Sequence, residues 1–148
     1  MIKKRVLPIV GCAIMALVLI LWVVYCLPKT FLSRVDAADV QCIRVFDSSD
    51  GSSFVIDERE DINAIVTRLQ KTKMKRGKLS SNYDGFRFSL TFVGQDGEVL
   101  ETLILNSADT IRKDPFFYET KDAGRGLDTD DEKLPFSELE SMKGKYVK

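Results

Sequence analysis

Six basic side chains fall within eleven residues: Arg68, Lys71, Lys73, Lys75, Arg76 and Lys78, with no carboxylate among them. Cations at this density can hold a polyanion by long-range attraction. Four of the six are Lys, whose ammonium is a point charge rather than a planar fork, so the chemistry would be charge recognition with little shape selectivity. The competing reading is a solvated helix end, because Lys and Arg are favoured beside the partially negative carboxyl end of a helix.

Other constellations carry less. The chain has 148 residues, 22 Lys and Arg against 22 Asp and Glu, and no histidine. Without histidine there is no Ser-His-Asp or Cys-His nucleophilic site and no histidine-containing zinc site. Three cysteines are too few for a four-cysteine site. Asp128, Asp130, Asp131 and Glu132 invite a calcium loop, but the sixth and twelfth positions counted from Asp128 are Lys133 and Leu139, where glycine and glutamate are needed. Gly124-Arg125-Gly126 lacks both the strand-to-helix context and the third glycine of a nucleotide loop, and Gly144-Lys145 lacks the rest of a phosphate loop. Lys78, Ser80 and Ser81 are close enough in sequence for a Ser-Lys dyad, which would need a desolvated lysine in what is a polar stretch. Two-carboxylate glycoside hydrolysis is compatible with the composition, but one small sheet leaves little room for a sugar cleft. Phe116-Phe117-Tyr118 cannot all face inward on a strand, so one ring should be exposed or covered by the following loop. Cys42 stands among apolar neighbours, as a buried small hydrophobe does. The expectation is therefore a protein with no catalytic residue, no cofactor and no metal.

The elements that would position the basic cluster begin with an amino-terminal anchor. Lys3, Lys4 and Arg5 precede the 22 residues Val6–Leu27, which carry no charge. As a helix this run is about 33 Å long, enough to cross a hydrocarbon core. Trp22 and Tyr25 lie near its far end, where amphipathic rings suit an interface. A cleaved signal peptide would have a shorter apolar region, and the nearest small-residue site, Val35-Asp36-Ala37, is badly spaced. Ile9-Val10-Gly11-Cys12 looks like a lipobox, but the apolar run continues well past Cys12. The positive-inside rule puts the amino terminus in the cytoplasm and residues 28–148 outside. On that topology the partners are the bilayer, an envelope or membrane protein, or an anionic polymer or headgroup layer, and not nucleic acid.

Residues 28–38 read as a linker, 39–143 as a small α+β domain and 144–148 as a tail. Strands are expected over Asp39–Asp47 and Ser52–Ile56, joined by the turn Ser48-Ser49-Asp50-Gly51. Asp57 and Glu60 stand at capping-box spacing before a helix from Glu58 to about Lys71, with Ile62, Ile65, Val66 and Leu69 as its apolar stripe. Lys71–Asp84 reads as a polar connection. In Phe86–Val93 the alternation puts Phe86, Phe88, Leu90 and Phe92 on one face. Gly94-Gln95-Asp96-Gly97 turns into a strand over Glu98–Leu105, and two short strands follow at Thr110–Lys113 and Phe116–Glu119. Ser137 and Glu140 form a second capping pair before a short helix ending near Lys143-Gly144. The fold class is thus α+β: an antiparallel sheet with one main helix on one face and a short carboxyl-terminal helix.

From Asp39 to Leu139 the chain resembles an uncharacterised group of small membrane-anchored extracytoplasmic domains of Gram-positive bacteria. The resemblance rests on the first hairpin, the Ile56-Asp57 helix start, the stripe to Leu69, Phe92-Val93-Gly94-Gln95-Asp96-Gly97, and Phe116-Phe117-Tyr118. It implies a location outside the membrane and supplies no catalytic residues. The expected function is a non-enzymatic binding or accessory module on a single-pass anchor. The alternatives are a small histidine-independent hydrolase, using carboxylates or Ser-Lys, and a structural subunit of a membrane complex.

Overall fold

The computed structural model of the chain describes residues 3–120 and 133–147, with side chains from residue 10 onward. Helix α1 spans Lys3–Cys26. Seven strands follow: β1 (Val40–Asp47), β2 (Ser52–Ile56), β3 (Met74–Leu79), β4 (Phe88–Gly94), β5 (Val99–Ser107), β6 (Thr110–Lys113) and β7 (Phe116–Thr120). Helix α2 (Arg59–Lys71) lies between β2 and β3, and α3 (Phe136–Tyr146) follows β7. The strands form one antiparallel sheet in the order β2-β1-β4-β5-β6-β7-β3. Two hairpin turns use glycines at positive φ, Gly51 (73°) and Gly97 (81°), a conformation costly for other residues.

The topology dictates where α2 must lie. β2 and β3 are opposite edges of the sheet, so the chain between them has to cross every strand. Seven strands about 4.8 Å apart span about 29 Å. A helix of 13 residues covers about 20 Å of that, and its flanking residues supply the rest. Ile62, Ile65, Val66 and Leu69 are all buried, as their spacing predicts. Beneath them run the rows Phe54-Val45-Leu90-Leu103 and Asp47-Phe88-Leu105-Ile111-Tyr118, each residue register-paired to the next. The opposite face carries Ser53, Phe46, Ser89, Ile104 and Arg112 in one such row, and Phe46 is 39% exposed.

Several expectations are corrected. The stretch 71–84 is no mere connection, since it contains β3, paired to β7. Phe86 precedes β4 and leaves the core row, its ring lying 6.0 Å from that of Phe46. Residues 28–38, expected as a linker, are built into the domain. Lys29 forms an antiparallel bridge with Met74, while Phe31 and Leu32 belong to the core. Gln70 Nε2 donates to the carbonyls of Leu32 (3.0 Å) and Val35 (2.7 Å), holding that segment against α2.

Neither expected capping box forms. α2 begins one residue late, with Glu58 at its cap making no side-chain bond; Arg59 instead donates to the carbonyls of Ala37 and Val40, both at 2.9 Å. α3 begins at Phe136 with Pro135 at its cap, so Ser137 is already inside the helix. It also runs past Gly144, because Lys145 and Tyr146 are held by acidic groups around α2.

Every described residue from Val10 to Leu27 is exposed. Among the described residues, no helix is long and apolar enough to cross a membrane.

Candidate functional site

The fold divides the basic cluster rather than gathering it. Arg68, on α2, forms an ion pair with Glu138 of α3 at 2.8 Å. Lys71 and Lys73 are exposed at the corner where α2 ends and β3 begins. The remaining three lie on β3, where strand alternation sends neighbours to opposite faces. Lys75 pairs in register with Glu119 of β7. Lys78 Nζ lies 5.7 Å from the centre of the Phe117 ring. Arg76 sits on the core-side row beside Tyr118, against the last turn of α1.

That junction is the most distinctive arrangement around the cluster. The Arg76 guanidinium carbon lies 3.9 Å from the centre of the Tyr25 ring and 4.8 Å from that of Phe116. Tyr25 and Phe116 meet edge to face at 6.3 Å. Contact between a guanidinium and aromatic faces is favourable, and it strengthens as water is excluded. Hydrogen bonding to Tyr25 raises the pKa of Arg76 further, against a smaller opposing effect of burial. The three consecutive aromatics resolve as follows. Phe116 is half-buried at this junction. Phe117 faces the other side of the sheet, covered edge-on by Tyr83 at 5.2 Å. Tyr118 enters the core against Phe31, also at 5.2 Å.

A second charged assembly joins α3 to the rest of the domain. Lys143 reaches Asp47 (2.5 Å) and Asp50 (2.6 Å), and Lys145 reaches Glu58 (2.6 Å) and Asp61 (2.9 Å). Tyr146 donates its hydroxyl to Asp61 at 2.8 Å, and Arg87 bridges Asp47 and Glu140. Burial alone would raise the Asp47 pKa, but Lys143, Ser49 and Arg87 outweigh it and hold the carboxyl below its usual range. Lys143, and then Ser52, lower Asp50. Lys145 and Tyr146 lower Asp61. Carboxylate partners raise both lysines, and burial with Asp61 pushes Tyr146 up to about 12. All of these shifts lead away from neutrality. They suit permanent ion pairs rather than groups that exchange protons near pH 7.

The remaining candidates are placed as follows. Ser80 is buried and its hydroxyl donates to Asp114 at 2.5 Å, while Lys78 faces the Phe117 ring. Cys42 is half-buried. Among the described residues no acidic or cysteine cluster has the form of a metal site. Asp128, Asp130, Asp131, Glu132 and Gly124-Arg125-Gly126 lie outside the described residues. A half-open groove of about 580 Å³ runs between residues 29–35 and the sheet. Its charges are mixed, and its Lys113 is already paired with Glu101 at 2.8 Å.

The Tyr25–Arg76–Phe116 junction was not legible in the sequence. Its only trace was the single tyrosine near the end of the apolar run and an arginine within the basic cluster. Compared with known protein families, curated proteins and solved structures, the chain finds no match.

Proposed function

We propose that the chain is a single-pass membrane protein of a Gram-positive envelope. Its amino terminus is cytoplasmic, and its α+β domain is a non-enzymatic binding or accessory module outside the cell. The observation that carries this reading is α1. Its described large apolar side chains are exposed, from Val10 at 47% to Trp22 at 67%, and Tyr25 in its last turn meets the domain through Arg76 and Phe116. Exposed apolar side chains along a helix are unfavourable in water and satisfied in lipid, where the helix's backbone bonds are internal. The uncharged run Val6–Leu27 after Lys3, Lys4 and Arg5 gives it length and orientation. The ion pairs of α3, in which Asp47 is lowered and Lys143 is raised by their mutual contact, support a domain built for rigidity rather than for proton transfer.

The test has two parts. Full-length protein should stay in the membrane pellet after alkaline carbonate extraction, and protease added to intact protoplasts should digest residues 28–148. Release by carbonate would overturn the anchor, and full protection from protease would overturn the orientation. Co-purification from membranes then separates an accessory module, which brings a partner, from a domain that binds polymer alone.

A further inference from the structure

We infer that the β3 end of the domain docks on the headgroup layer of the membrane that holds its own anchor, preferring anionic phospholipid. The inference rests on the anchor reading above and deepens it: the ligand of the basic strand is a lipid surface adjacent to α1.

The geometry comes first. Lys29, just past the end of α1, forms an antiparallel bridge with Met74, each donating its backbone N–H to the other's carbonyl at 2.8 Å. Because the bridge is antiparallel, β3 leaves Met74 in the direction opposite to the chain that leaves α1. It therefore runs back alongside the anchor. Two contacts bear this out: Arg76 lies over Tyr25, and Phe116, the register partner of Leu79, meets Tyr25 edge-on. The far end of β3 is thus brought to the level of the last turn of α1, where Trp22 and Tyr25 mark an interfacial position.

What stands at that end suits a headgroup layer. Leu79 is 60% exposed and Tyr83, in the next connection, is 50% exposed. At a membrane surface an exposed Leu and an amphipathic Tyr ring are both accommodated. Lys78 is exposed next to Leu79 in sequence, and Lys73 and Lys75 are exposed toward the other end of the strand. Arg76 lies between two aromatic rings at the same level, an arrangement that lets a guanidinium sit at the boundary of apolar and wet phases. The carboxylates nearby are Glu119, opposite Lys75, and Asp114, which accepts from Ser80 and lies 3.9 Å from Arg112. Asp84 is exposed in the same connection. The orientation is held by the Lys29–Met74 bridge, by Phe31 against Tyr118 and by the two hydrogen bonds of Gln70.

The experiment uses the full chain in lipid nanodiscs and its single tryptophan, Trp22. Trp22→Phe supplies a background into which Leu79→Trp is placed, or, as a control on the opposite edge strand, Val55→Trp. The discs contain phospholipid brominated just below the headgroup, with or without phosphatidylglycerol. Docking predicts that Leu79→Trp is quenched and blue-shifted in anionic discs while Val55→Trp is not. Tyr83→Trp, read the same way, serves if Leu79→Trp fails to fold. Each Lys close to an anionic surface favours the docked arrangement by about fivefold. Lys75→Glu with Lys78→Glu, or neutral discs, should therefore reduce the Leu79→Trp quenching strongly. Equal quenching in neutral and anionic discs would overturn the anionic preference. Leu79→Trp behaving like Val55→Trp would overturn docking. Wild-type Trp22 reports separately on the anchor: if it is quenched while Leu79→Trp is not, docking falls and the anchor stands, whereas an unquenched Trp22 removes the anchor itself.

Discussion

Phe88→Ala, set against Phe46→Ala, measures how completely the two faces of the sheet differ. The two positions lie on neighbouring strands, one residue apart in register, since Phe88 pairs with Asp47 and Phe46 pairs with Ser89. Phe88 is fully buried, on the row that continues through Leu105 and Ile111, and its ring meets Phe136 of α3 at 5.2 Å. Truncating a buried Phe to Ala costs about 3–5 kcal/mol, from lost transfer free energy and the cavity left behind. Phe46 keeps 39% of its surface in water, with its ring 6.0 Å from that of Phe86. Scaling the ~1.5–3 kcal/mol of a fully buried side chain by its buried share gives about 1–2 kcal/mol.

The assay is urea unfolding of the full chain in mild detergent, followed by near-ultraviolet circular dichroism. With a slope of about 1.5 kcal/mol per molar urea, Phe88→Ala should lower the midpoint by about 2–3 M and Phe46→Ala by about 1 M. A domain in the middle of the usual range, about 10 kcal/mol, keeps enough stability after either change for its midpoint to be measured. Part of the Phe88 loss is release of α3, so Phe136→Ala combined with Phe88→Ala should cost less than the two singly. Equal midpoint shifts at positions 88 and 46, or a loss below about 1 kcal/mol for Phe88→Ala, would refute the assignment of faces.

Three further outcomes are expected. Gln70→Ala strands the carbonyl of Val35 and leaves that of Leu32 only the Val35 N–H; it should cost about 1–2 kcal/mol, with faster amide exchange across residues 29–35 as the local signature. The ion pairs of α3 set a pH window. Asp47 and Asp61 have lowered pKa values, so their contribution is complete above the ordinary carboxylate value near 4 and is lost as pH falls through the folded values. Lys143 and Lys145 have raised values, so theirs is complete below about 10.4 and is lost as pH rises through the folded values. Thermal melts should be flat between these limits and fall at either end, and Asp47→Asn should flatten the acid limb; an unchanged acid limb would exclude Asp47 as its source. Gly97→Val should destabilise the β4–β5 hairpin by more than 1 kcal/mol or so, because φ is 81° there, and a neutral result would show that the turn relaxes to another type.

The particular residues show where sequence reading succeeds and where it stops. Ile62, Ile65, Val66 and Leu69 share a helical stripe and Phe88, Leu90 and Phe92 share a strand face, and all seven are buried. Such patterns are local, because the period of a helix or strand decides them before any tertiary contact forms. Phe86 shares the alternation but not the face, since its position depends on Phe46, brought close by a sheet pairing no short window contains. β3 escaped for a different reason. It is an edge strand with Met74 as its only buried apolar residue, and lysines on an edge strand are ordinary protection against unwanted pairing rather than evidence of a loop.

The charged groups make the same point more sharply. Six cations in eleven residues look like one patch along the chain. Yet a helix ending inside the run and a strand beginning inside it send Arg68 to α3, Lys75 toward Glu119 and Arg76 to the last turn of α1. Conversely, Lys143 and Asp47 form a close ion pair across 96 residues of sequence, where no spacing rule could have joined them. Charge density along a chain therefore predicts that cations are present, whereas their grouping is a property of the fold. The part of the cluster that remains a surface is the part β3 carries to the end of α1. Helix α1, the edge strand and its lysines are three local features, and the single antiparallel bridge between Lys29 and Met74 brings them together.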